Sequence, residues 1–168
     1  MNRWLRILKH RALDEGDARR ALGPAALERL RERVAASERT HSGEIRICVE
    51  AGLPLSYLWR GASARERAVT QFGKLRVWDT EHNNGVLIYL LLADHCVEIV
   101  ADRGLSRHVH AAQWHALTRE MGEAFRAGRF EDGLSAAVDA VSAALRQHFP
   151  LADGQRNPNE LPDAPVLG

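Results

Sequence analysis

Glu44, Asp79, Glu81, Asn84 and Asp102 are the residues whose types and spacing could do chemistry in this chain. Hard divalent cations such as Ca2+ and Mg2+ are held by carboxylate, amide and hydroxyl oxygens. Asp79, Glu81 and Asn84 fall in one loop, Asp79-Thr80-Glu81-His82-Asn83-Asn84-Gly85, where Thr80 and Asn83 offer further oxygens. Glu44 and Asp102 stand far from that loop in sequence, so the elements that carry them decide whether they join it.

The segment Glu44-Ile45-Arg46-Ile47-Cys48-Val49-Glu50 alternates strictly, which predicts a strand with one face buried. Val86 to Ala93 is an uninterrupted apolar run, the pattern of a central strand covered on both faces. Asp94-His95 reads as a tight turn, and Val97, Ile99 and Ala101 return as the second arm of a hairpin. Helices are expected around these strands. One starts at Pro24, carries Leu27, Leu30 and Val34, and ends near Thr40. A second opens with the capping box Ser63-Ala64-Arg65-Glu66 and continues through Ala68, Val69 and Phe72. Trp114, Leu117, Met121 and Phe125 mark a third; Phe130 through Phe149 marks a fourth, closed by Pro150.

A helical crossover between the first two strands makes them parallel, and the hairpin makes the third antiparallel. The result is an α/β fold, a three-layer α/β/α sandwich around a small mixed sheet. Glu44 and Asn84 then stand at the starts of neighbouring parallel strands, and Asp102 ends the strand that runs back. All five oxygen-bearing residues reach one rim. Taken singly, they are ordinary turn-formers and caps facing water, and spacing alone favours that reading over a shared cation site.

Other chemistry is thinner. His108, His110 and His115 could supply zinc nitrogens, but no Cys or acid at ligand spacing completes the four that a structural site needs. Cys48 and Cys96 fall in expected strands and read as buried thiols, too few for a disulfide framework. Arg65, Arg67, Arg103 and Arg107 could pair on a phosphate and read equally well as solvated surface. No P-loop, G-x-G-x-x-G, G-x-S-x-G or H-E-x-x-H occurs. The 168 residues suit one domain. With 23 basic and 22 acidic side chains the net charge is +1, a balance that speaks against a nucleic-acid partner.

The ends differ in character from the middle. Residues 1–11 hold Arg3, Arg6, Lys9 and Arg11 without an acid, interleaved with Trp4, Leu5, Ile7 and Leu8. As a helix this is a basic amphipathic arm suited to an anionic membrane surface, or to docking on the domain itself. Arg6 interrupts any signal-peptide core, and Leu87 to Ala93 is far short of the about 20 residues that span a bilayer. The expectation is a cytoplasmic protein, peripheral at the inner face of the membrane if it meets one. Leu151 to Gly168, with Pro158, Pro162 and Pro165, is expected to be a disordered tail. The chain thus divides into an arm (1–16), a domain (17–150) and a tail (151–168).

The run Asn83-Asn84-Gly85-Val86-Leu87-Ile88, the hairpin, and Ile99-Val100-Ala101-Asp102-Arg103-Gly104-Leu105 resemble the core of the TPM domain. Ser42-Gly43-Glu44-Ile45-Arg46 is similar to that family's first strand, and Thr80 precedes the Asn-Gly element as in its short bacterial members. Trp114, Phe125, Gly128, Phe130, Gly133-Leu134 and Phe149-Pro150 are similar to its C-terminal helices. Asp17, Leu22 and Pro24 match its opening Asp-x4-Leu-Ser-Pro, with Gly23 in place of the Ser. The likeness covers roughly residues 17–150 and extends to thylakoid-lumen members. It implies an α/β/α sandwich and divalent-cation binding at acidic loops, which favours the rim reading with Ca2+ or Mg2+. It also implies weak acid phosphatase activity, as in some members, or an adaptor or quality-control role with a protein partner near membranes, as in others. Export and membrane anchoring, which the longer members owe to a signal peptide, a membrane helix and a glycine-rich tail, are not expected to carry over. The expectation is therefore a cation-binding interaction or quality-control module without catalysis. A metal-assisted acid phosphatase and a membrane-surface accessory protein are the alternatives.

Overall fold

The computed structural model describes residues 3–168, Glu120 by its backbone alone. Four strands form one sheet: β1 (Glu44–Glu50), β2 (Gly85–Leu91), β3 (Cys96–Ala101) and β4 (Val166–Leu167), in the order β3-β2-β1-β4. β1 and β2 are parallel, with Glu44 opposite Gly85 and Glu50 opposite Leu91. β2 and β3 are antiparallel, with Val86 opposite Ala101. These pairings are the ones the crossover and hairpin predict. The turn between β2 and β3 is a 3-10 turn, Leu92–Asp94, followed by His95 at a φ of 49°.

The helices are α1 (Arg3–Arg11), α2 (Glu15–Ala21), α3 (Pro24–Glu38), α4 (Leu55–Trp59), α5 (Ala64–Lys74), α6 (Arg103–Ser106), α7 (Ala111–Glu120), α8 (Gly122–Arg126) and α9 (Phe130–His148). None of them is long and apolar enough to cross a membrane. Period-two alternation sends Ile45, Ile47, Val49, Val86, Ile88 and Leu90 to one face, where α2, α3, α7, α8 and α9 cover them. Leu87, Tyr89 and Leu91 go to the other face, against Ala68 of α5, Leu58 of α4 and Ile7 of α1. The molecule is a three-layer sandwich, and every residue of β2 is buried. Ser63 caps α5 in a reciprocal box with Glu66, as its sequence predicts.

Three expectations are corrected. β1 is buried on both faces, because Glu44 and Glu50 find partners inside rather than water. The helix expected across Trp114 to Phe125 is broken into α7 and α8 at Met121-Gly122, where glycine is a poor helix former. The Pro-rich tail is not disordered but forms a strap across the edge of β1. The Leu161 amide donates to Glu44 Oε2 at 3.1 Å, and Asn157 Nδ2 donates to the His41 and Gly43 carbonyls. Arg46 donates to the carbonyls of Pro162 and Ala164. β4 runs parallel to β1 at Cys48 and Val49, and the Gly168 and Ala51 amides close the ladder on Val49 and Gly168 carbonyls. Composition alone reports the prolines; partners more than a hundred residues away are invisible to it.

The basic arm is also folded. α1 buries Ile7 and His10, and His10 Nδ1 accepts the Leu53 amide at 3.1 Å. His10 Nε2 lies 3.2 Å from Asp94 Oδ1, and Arg6 donates to the Ala62 carbonyl at 2.8 Å.

A candidate cation-binding rim

The loop leading into β2 is shaped by its own polar groups. Thr80 Oγ1 accepts the Asn84 amide at 3.1 Å, and the Thr80 carbonyl accepts the Asn83 amide. Asn83 takes a φ of 51°, a left-handed conformation that asparagine tolerates. At Gly85 a Cβ would run into the Val77 carbonyl oxygen, so the backbone passes where only glycine fits. The Asp102 amide donates to the Gly85 carbonyl at 2.9 Å, and the Gly104 amide to the Asn83 carbonyl at 2.8 Å. The loop, the end of β3 and the start of α6 are thereby locked together.

Three oxygens on this rim are buried and lack a hydrogen-bond partner among the described residues: Glu44 Oε1, Asn84 Oδ1 and Asp102 Oδ2. The other half of each group is occupied. Glu44 Oε2 accepts the Leu161 amide, Asn84 Nδ2 donates to the Ser42 carbonyl at 3.1 Å, and Asp102 Oδ1 accepts the Arg103 amide at 2.7 Å. An unsatisfied buried acceptor costs about 1–3 kcal/mol. Glu44 and Asp102 flank Gly85 from its two neighbouring strands, with Asn84 directly before it. At the usual spacing of strands, the two carboxylates start from backbones roughly 10 Å apart.

The remaining two residues lie on the wet side of the same loop. Asp79 is exposed, and its Oδ2 accepts from Arg76 at 2.7 Å. Glu81 is exposed, and its amide donates to Glu160 Oε1 at 3.0 Å. Among the described residues no three His, Cys, Asp or Glu side chains are grouped to hold a metal ion.

Burial pushes the Glu44 carboxyl above the usual range, against the lowering effect of the Glu160 and Leu161 amides; Glu160 and Asp163 add to the rise. Glu38, at the end of α3, is pushed up to about 9 by burial, although its Oε1 accepts the Ile45 amide at 2.8 Å. A cation arriving here competes with protons.

Sequence reasoning missed two arrangements. Glu50, Arg67, Tyr89 and Gln71 form a network under α5: Glu50 Oε2 accepts from Arg67 Nε at 2.8 Å and Tyr89 OH at 2.6 Å, and Oε1 accepts from Gln71 and a second Arg67 nitrogen. Burial alone would raise Glu50, but the bonds from Arg67 and Tyr89 outweigh it and hold the carboxylate low. Every oxygen is satisfied, which makes the network structural. Ser37 Oγ and His41 Nε2 lie 2.8 Å apart, with His41 Nδ1 on the Gly43 carbonyl at 3.1 Å. This looks like a nucleophile and base, but burial drives His41 down to about 4, too weak a base to activate a hydroxyl at neutral pH. The i, i+4 spacing of Ser37 and His41 was the available signal.

The other candidates disperse. His108 stacks on His148 at 4.5 Å, and His110 caps α7. Burial pushes the Cys48 and Cys96 thiols up to about 12, leaving them inert. Arg65 donates to the Ile99 carbonyl and Arg67 to Glu50. Arg103 and Arg107, with His82, Asn83 and Gly104, line a cavity of about 230 Å3 beside Asp102.

The fold and rim define a class: an α/β/α sandwich whose mixed sheet presents buried oxygens where its parallel pair begins. The TPM domain model matches residues 17–144, and the chain belongs to the TPM domain family. The chain is similar to the BA42 protein of the psychrophilic bacterium Bizionia argentinensis, with 26% identity and a TM-score of 0.74 over 88% of this chain and 95% of that one. It also shares its fold with the N-terminal domain of a protein from P. gingivalis, at 21% identity and a TM-score of 0.63, over 78% and 82% of the two chains. No match was found among curated proteins.

Proposed function

We propose that this protein is a divalent-cation-binding interaction module, with Glu44, Asn84 and Asp102 as inner ligands and Asp79 and Glu81 as outer ones. One observation carries the reading: three buried oxygens on one rim, each with its partner atom engaged and itself unpartnered. Buried acceptors call for a donor, a water or a cation, and an all-oxygen set with carboxylates suits Ca2+ or Mg2+. Asp79 and Glu81 would complete the shell through bridging waters or a small shift of the loop. In this reading the loaded rim is presented to a protein partner in the cytoplasm, and the ion's role is to shape the contact.

Calorimetric titration of Ca2+ and Mg2+ tests it. Asp102→Asn keeps a side chain able to cap α6 and removes one charge. Wild type should bind with release of protons, the single variant should weaken binding about tenfold or more, and Asp102→Asn with Glu44→Gln should abolish it. No heat from wild type, or equal affinity in the double variant, overturns the reading.

The basic cavity beside Asp102 favours a second reading, a metal-assisted phosphohydrolase. Arg103, Arg107 and His82 would receive a phosphoryl group next to an ion that polarises it. Hydrolysis of an aryl phosphate should then be lost both with EDTA and in Arg103→Ala with Arg107→Ala. Turnover that survives either treatment rules this reading out.

A further inference from the structure

α1 and α4 leave large apolar side chains in water. Trp4, Leu5 and Leu8 are 57%, 59% and 65% exposed, and Leu55 and Trp59 are 45% and 49% exposed. Trp4 meets Trp59 edge to face, with centroids 5.8 Å apart, which merges the two helices' residues into one surface. Contiguous exposed apolar surface of this kind marks an interaction site in a soluble fold. α1 is held from its other side by the buried side chains of Ile7 and His10 and by Arg6 on the Ala62 carbonyl.

The margin of this surface is cationic. The Arg3 guanidinium lies 5.2 Å from the centre of the Trp59 ring, and Arg60 lies 4.4 Å from that of Tyr57. Lys9 and Arg11 occupy the last turn of α1, which contains no acidic residue. Asp94 stands near Arg6 and Lys9, and Glu66 near Arg60, so two acids answer part of the charge.

We propose that the α1–α4 surface docks this protein onto an anionic lipid bilayer. Tryptophan settles at headgroup depth, leucine reaches the acyl boundary, and lysine and arginine meet the phosphates. Trp4 and Trp59, then Leu5, Leu8 and Leu55, then Arg3, Lys9, Arg11 and Arg60 supply those three layers. The charge complementarity of this margin to anionic headgroups selects the bilayer over an uncharged apolar partner. The rim proposed to bind cations plays no part in this contact.

The full chain should pellet with phosphatidylcholine vesicles enriched in phosphatidylserine, and much less with phosphatidylcholine alone. Leu5→Ser with Leu8→Ser alters exposed positions only, so circular dichroism and thermal melting should be unchanged while partitioning drops. Lys9→Gln with Arg11→Gln should weaken partitioning on the order of tenfold or more, and raised salt should do the same. Truncation of α1 is the poorer variant, since it would strip Ile7 and His10 from the core. The proposal is overturned by no pelleting of wild type, by equal pelleting of the leucine variant, or by equal pelleting on neutral vesicles. Self-association in the absence of vesicles that Leu5→Ser with Leu8→Ser abolishes also overturns it, by assigning the surface to a second copy of the chain.

Discussion

Glu38 keeps its proton at neutral pH, and that has a measurable price in stability. Its carboxyl rises to about 9 because it is buried, with Glu44 and Asp163 close by. The folded state therefore holds a proton that the unfolded state loses above the ordinary glutamate value. Stability should fall as pH climbs from about 4.5 toward 9, and Glu44 acts in the same direction. Buried neutral His41 opposes this only below its unfolded value, where unfolding takes up a proton that the fold refuses. Glu38→Gln should raise the melting temperature at pH 8 by on the order of 5 °C and flatten the curve above pH 6. An unchanged pH profile would contradict the assignment. Glu38 was illegible in the sequence because it ends a highly charged surface helix, and the group beside it, Asp163, belongs to the strap. Asn84 and Asp102 were legible, since turn chemistry placed them at strand ends without knowledge of packing.

The elements were read best where a local pattern suffices. Strict alternation gave β1, an apolar run gave β2, and the Ser63–Glu66 box gave the start of α5. Alternation could not report that the polar side of β1 is covered, because that depends on Arg67 reaching Glu50 from another element. The short helices α2, α4, α6 and α8 carry too few turns to show a period. Gly85 tests how tightly one element constrains another. Gly85→Ala should cost roughly 1–3 kcal/mol or more, because the obstacle is the Val77 backbone carbonyl and cannot rotate away. Gly73→Ala, in α5 with open space around the position, should be neutral or stabilise by about 0.5–1 kcal/mol. Chemical denaturation of the pair settles whether the loop into β2 is pinned; equal effects would show that it is not.

At the scale of the molecule, three layers and the directions of three strands followed from connection rules that need only the order of elements. The fourth strand did not, because β4 joins β1 across most of the chain length and its two residues carry no periodic signal. That strap has a dynamic consequence. A short edge strand held by a few long-range bonds opens as its own unit, at lower free energy than the buried sheet. Native-state hydrogen exchange should therefore release the amides of Gly168, Ala51 and Leu161 through a partial opening, while those of β2 wait for global unfolding. Equal opening free energies for Ala51 and Leu90 would show the sheet to be one cooperative block. Since the Leu161 amide rests on Glu44, each such opening also undresses a rim carboxylate, so exchange at the far end of the chain becomes a clock for events at the start of β1.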